Sequence, residues 1–89
     1  MPTIHLLIKG KVQGVFYRAT AKKIADKLNL TGWIKNTKEG DVEVAVTGDE
    51  IFLKEFINWC WKGPPKAIVH NVKVIPIQET AFTAFDIRR

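Results

Sequence analysis

The sequence predicts an α+β protein of the ferredoxin-like, split βαβ sandwich type: an antiparallel sheet with two helices on one face and a short extra terminal strand. Three observations carry this reading. The 89 residues, 46% of them apolar, are enough for one core and too few for two. Apolar periodicity alternates between strand and helix spacing in the order strand–helix–strand–strand–helix–strand, which is two split strand–helix–strand units. Clusters of Gly, Pro and Asn punctuate those segments. A single domain over residues 1–89 is expected.

Ile4 to Lys9 alternates as a strand with one buried face. Gly10 to Phe16 contains two glycines, breaks that pattern and reads as a loop. From Tyr17 the apolar positions Tyr17, Ala21, Ile24, Ala25 and Leu28 recur as on an amphipathic helix, which Asn29-Leu30-Thr31-Gly32 ends. Trp33 to Asn36 starts a second strand, Thr37 to Gly40 is a turn, and Asp41 to Thr47 sets Val42, Val44 and Val46 on one face. The pair reads as a hairpin. Gly48-Asp49-Glu50 suits a helix start, with acids in its first turn. Phe52, Phe56, Trp59 and Cys60 give the helical spacing, and Gly63-Pro64-Pro65 stops it. Ile68 to Ile77 is a strand whose Pro76 belongs at an edge. Phe82 to Arg88 is a short last strand. In this topology the hairpin's second strand lies between strands one and two, which run the same way. With neighbouring strands about 4.8 Å apart, the loop after Lys9 and the end of strand two at Asn36 share one rim, about 10 Å from each other.

Composition excludes several classes of function. No apolar run approaches the roughly 20 residues that span a bilayer, so no membrane partner is expected. No basic segment leads into an apolar one at the start, so a cytoplasmic protein is expected. A lone Cys60 precludes an intrachain disulfide framework. The chain contains no serine, which removes every serine-nucleophile mechanism. The net charge of +5 is unevenly placed. Residues 1–25 hold Lys9, Lys11, Arg18, Lys22 and Lys23 without an acid, whereas the remainder is balanced. A localised positive field suits a small anion, while a nucleic acid is more often met by a broad basic face. A solvated basic helix face would give the same count.

The loop from Gly10 to Arg18 carries the chemistry. Glycines let successive N–H groups converge on one point, and a helix start adds free N–H groups and a positive dipole end. Arg18 supplies a planar fork of donors suited to phosphate oxygens. Its charge opposes the dipole at that position, so it costs stability unless an anion is bound. Two glycines alone are also an ordinary packing turn. The nucleotide-binding pattern G-x-x-x-x-G-K-[ST] is absent. Phosphatases with a cysteine nucleophile place it six residues before the loop arginine, where this chain has Val12. The loop can hold phosphate and offers no nucleophile, so hydrolysis would be by water.

Gly10-Lys11-Val12-Gln13-Gly14-Val15-Phe16-Tyr17-Arg18 resembles the first signature of the acylphosphatase family. Gly32-Trp33-Ile34-Lys35-Asn36, followed by Gly40, Val42 and Gly48, resembles the second. Trp59-Cys60, Gly63-Pro64, Ala67 and Val69 resemble the segment from the family's later helix into the next strand. Ile34 departs from the pattern, which usually has a smaller Val, Ala or Cys there. The resemblance implies hydrolysis of the carboxyl–phosphate bond of acyl phosphates to a carboxylate and inorganic phosphate. It assigns phosphate binding to Arg18 and the backbone of Gln13, Gly14, Val15, Phe16, Tyr17 and Arg18, and positioning of the attacking water to Asn36. A small-molecule acyl phosphate is the expected substrate, and inorganic phosphate is the expected product and competitor. Neither cofactor nor metal is expected, and a monomer is.

The remaining polar and aromatic residues carry no comparable pattern. His5 and His70 are single histidines on strands, and with one cysteine they make no zinc constellation. Glu39 and Asp41 flank a turn glycine. Cys60, Trp33, Trp59 and Trp61 read as packing, and Lys35 and Lys38 as solvated cations. The competing reading is a non-catalytic anion- or RNA-binding module on the same strand order. RNA-binding modules of this kind stack bases on aromatic residues of the two central strands. Ile4 to Lys9 and Asp41 to Thr47 have none, so no nucleic-acid partner is expected.

Overall fold

The computed structural model describes residues 1–89. Ile4, Leu6 and Ile8 alternate into the core along strand β1 (Thr3–Lys11), as do Val42, Val44 and Val46 along β3 (Val42–Thr47). Helix α1 (Tyr17–Lys27) buries Tyr17, Ala21 and Ala25, and helix α2 (Glu50–Lys62) buries Leu53, Phe56 and Cys60. All of these belong to one cluster, so both helices cover the same face of the sheet. The small alanines of α1 let that helix lie close to the sheet. Phe56 meets Phe85 edge to face with ring centres 5.9 Å apart.

With β2 (Thr31–Asn36), β4 (Ile68–Ile77) and β5 (Phe85–Ile87), the sheet has the order β4-β1-β3-β2-β5. Strand β3 lies between β1 and β2 and is antiparallel to both, as the split topology requires. The fold is ferredoxin-like. Pro76 lies on β4, an edge strand, where its missing N–H costs no ladder bond.

Four expectations are corrected in detail. The last strand is shorter than Phe82 to Arg88, and it pairs parallel with β2, so the sheet is mixed. Two bonds fix that pairing: Gly32 N–H to Ala84 O at 2.9 Å and Arg88 N–H to Ile34 O at 2.8 Å. Strand β1 runs on through Gly10 to Lys11, with a register shift against β4 between Lys9 and Gly10. A β carbon on Gly10 would stand 2.1 Å from Ile68 O, so this glycine serves a bulge in the strand rather than the loop. Strand β2 begins at Thr31 instead of Trp33. In the first turn of α2 the inward residue is Leu53 and Phe52 is exposed, while Phe56 and Cys60 are buried as their spacing predicts.

Candidate active site

Where β1 ends, the chain turns through residues 12–16 into α1. Val15 is buried in the core and anchors the turn. Gly14 and Phe16, on either side of it, have φ of 72° and 63°. Left-handed residues alternating with an ordinary one make the kind of turn in which successive N–H groups can converge on a point. A β carbon at Gly14 would meet nothing within 4 Å, so glycine is needed there for conformation and not for space. Phe16 is the N-cap of α1 and gives it no side-chain cap. None of the backbone N–H groups from Gln13 to Ala19 donates to another protein group.

Gln13 braces this turn. Its Nε2 donates to Thr37 O and to Asp41 O, each at 2.8 Å, and so ties the loop to the β2–β3 turn. That brings Asn36, the last residue of β2, to the loop. Arg18 stands half-buried in the first turn of α1, where no acidic residue offsets it. Its Nη1 donates to Arg88 O at 3.0 Å. Arg88 is held in turn by its N–H bond to Ile34 O and by its guanidinium, 4.9 Å above the Trp33 ring.

A cavity of about 350 Å³ opens between these parts, lined by Val12, Gly14, Phe16, Tyr17, Arg18, Ala19, Asn36, Ile87 and Arg89. Arg18 and Asn36 thus share one cavity on one rim, as the strand order requires. The Asn36 Oδ1 is buried without a hydrogen-bond partner. An unpaired buried acceptor costs about 1–3 kcal/mol, and this one belongs to a residue lining the same cavity as Arg18. Gly14, Phe16, Tyr17 and Arg18 line the cavity, whereas the side chains of Gln13 and Val15 point elsewhere.

Tyr17 is anchored through its hydroxyl, which donates to Cys60 O at 2.6 Å. Burial pushes the Tyr17 pKa far above its ordinary value, with neighbouring Cys60 adding to the rise. Burial likewise pushes the Cys60 thiol up to about 12, partly offset by the Tyr17 hydroxyl. Both groups stay protonated at neutral pH and serve packing. His5 bonds Glu43 at 2.7 Å, and His70 is exposed. No three His, Cys, Asp or Glu side chains gather into a metal-binding group. Lys35 pairs with Glu43 at 3.6 Å, away from the cavity lining, and Lys38 is exposed. Ile34 is fully buried, which places its extra bulk in the core.

Sequence reasoning missed Ile87 and Arg89. The signal available was the Arg88-Arg89 pair after the last strand, hidden by the even charge balance beyond residue 25.

The sequence matches the acylphosphatase family over residues 4–87. The chain belongs to the acylphosphatase family. The acylphosphatase of Coxiella burnetii (strain RSA 493 / Nine Mile phase I) is 42% identical over 85 residues, covering 96% of this chain and 90% of that relative. The acylphosphatase of Methylococcus capsulatus (strain ATCC 33009 / NCIMB 11132 / Bath) is 41% identical over 90 residues, with 100% and 98% covered. The crystal structure of acylphosphatase from Bacillus subtilis superposes with a TM-score of 0.96 at 31% identity, over 100% of both chains. Both signature segments of this acylphosphatase-family chain border the cavity, one through Gly14 to Arg18 and the other through Asn36. No helix of the chain is long and apolar enough to cross a membrane.

Proposed function

We propose that this acylphosphatase-family enzyme cleaves the carboxyl–phosphate bond of acyl phosphates by direct attack of water on phosphorus. The N–H groups of the Gln13–Arg18 loop and the Arg18 guanidinium hold the phosphate, and Asn36 orients the water. The observation that carries the reading is the buried, unpaired Oδ1 of Asn36, a residue that lines the same cavity as Arg18 and the loop with the free amides. An amide oxygen accepts a hydrogen bond from water without being a strong base. No strong base or general acid is needed. The leaving carboxylate belongs to an acid with a pKa of about 4, and the substrate phosphate can take the proton from the water. Phosphoryl transfer to water from so good a leaving group leaves positioning and charge stabilisation for the protein to supply.

The same reading makes inorganic phosphate a competitive inhibitor. It also describes a single-domain, cytoplasmic monomer in which the loop amides and Arg18, rather than a metal, carry the phosphate charge. The test is single-turnover hydrolysis of benzoyl phosphate in heavy-oxygen water, beside a phosphate monoester control and an exhaustively chelated sample. The label is expected in phosphate, with the monoester untouched and full activity after chelation. Label in the carboxylate would indicate acyl transfer and overturn attack at phosphorus.

A further inference from the structure

We infer that Phe16, with Ala19 and Ile87 beside it, forms the contact for the substrate's acyl group and gives the site a preference for apolar, above all aromatic, acyl groups. This rests on the proposed phosphate cradle, because a bond joins the acyl group to the phosphate. With phosphate against the Gln13–Arg18 amides, the acyl group extends into the rest of the same cavity, whose apolar lining includes Phe16, Ala19 and Ile87.

Phe16 is a costly residue for its position on two separate counts. Its φ of 63° is one that glycine or asparagine adopts with less strain. Its side chain is 78% exposed, where a polar residue would be better solvated. Neither cost is recovered inside the protein: Phe16 lies outside the core cluster and stacks on no other ring. The turn needs only the Phe16 backbone. Its ring stands largely exposed at the cavity, open to an apolar group. Ile87, 40% exposed, offers a second apolar surface there. Arg89 on the same lining makes a carboxylate-bearing acyl group the competing occupant.

Unreactive phosphonates test this without requiring turnover. Methylphosphonate, benzylphosphonate and 3-phosphonopropionate are titrated calorimetrically into the wild type, Phe16→Ala and Phe16→Gly, the glycine variant keeping the left-handed backbone unstrained. In the wild type, benzylphosphonate is expected to bind about tenfold tighter than methylphosphonate, the scale of apolar-pocket discrimination. Both variants should bring that ratio to within about twofold of one, whatever their absolute affinities. A ratio near one in the wild type, a ratio unchanged by both substitutions, or tightest binding of 3-phosphonopropionate would overturn the inference. Turnover of acetyl phosphate by the wild type is measured separately. Its absence would count against the hydrolytic reading and leave the phosphonate ratio as evidence on Phe16.

Discussion

Helix α2 begins on Asp49, whose carboxylate accepts from the Ile51 N–H at 3.3 Å, and Glu50 follows in the first turn. Helix α1 begins on Phe16, with no side-chain cap, no acid in its first turn, and Arg18 set against the dipole. The first arrangement satisfies a helix end from within the chain, while the second keeps its donors and its charge for something else. The ends of the sheet differ in the same way. At the rim away from the cavity, the Thr3 and Thr47 hydroxyls bond each other at 2.6 Å, and the Thr80 backbone closes the group with bonds of 2.8 and 2.9 Å. At the cavity rim, the Asn36 Oδ1 and the amides from Gln13 to Ala19 have no protein partner. Polar groups are left unpaired at one end in a chain that pairs them at the other, and in the proposed function a bound phosphate and water supply the missing bonds.

Breaking the open helix start should have the largest effect. Arg18→Gln is expected to lower kcat/KM by on the order of 10³ or more, the scale for losing an arginine that stabilises phosphoryl transfer, and to weaken phosphate binding with it. Arg18→Lys should recover little, because a point charge cannot replace the fork. Asn36→Ala should lower kcat by on the order of 10² while phosphate affinity stays near wild type. Phosphate titration beside steady-state kinetics checks both. Equal loss of phosphate binding in the two folded variants would defeat the division of labour. Supplying the missing anion should sharpen the contrast. Inorganic phosphate at 100 times its Kd should raise unfolding stability by about 2.7 kcal/mol, and Arg18→Gln should remove most of that gain. Denaturant titration with and without phosphate reads it. The smallest effect is expected at the closed helix start. Asp49→Ala should cost about 1 kcal/mol of stability for the lost cap and leave kcat/KM unchanged, so a change in kinetics would show the two helix starts to be coupled.

What could be read from the sequence follows the range of the interactions involved. The loop was legible because Gly14 and a helix start act through local backbone geometry and Arg18 lies in the first turn, whereas nothing local announces the left-handed backbone of Phe16. Asn36 was legible because strand order places it, and the strand order follows from alternation in Ile4 to Lys9 and Val42 to Thr47. The inward face of α2 was legible at Phe56, Trp59 and Cys60 but not in its first turn, where Leu53 and not Phe52 points inward. Apolar residues occur on both sides of that helix, with Ile51, Phe52 and Trp61 exposed, and tertiary packing chose Leu53. Ile87 and Arg89 were missed for a related reason. The parallel register that sets Ile87 beside Ile34 is a long-range contact with no local pattern to announce it. Gly10 was read as part of the loop because a bulge glycine and a loop glycine look alike until Ile68 is seen beside it.

The strand order also sets a timetable. Strand β1 is synthesised first, yet it sits between β3 and β4, and its Thr3 partners Ile77 near the far end of the chain. The β2–β3 hairpin can close early, but the sheet cannot be completed until β4 has left the ribosome. Pairings of such long sequence separation place folding nearer milliseconds to seconds than microseconds. Until then Ile4, Leu6 and Ile8 await part of their cover. Arg88, whose carbonyl receives Arg18, is made only after the last strand of the sheet. A nascent chain therefore carries the Gln13–Arg18 loop through the making of four further strands before Arg88 can join Arg18.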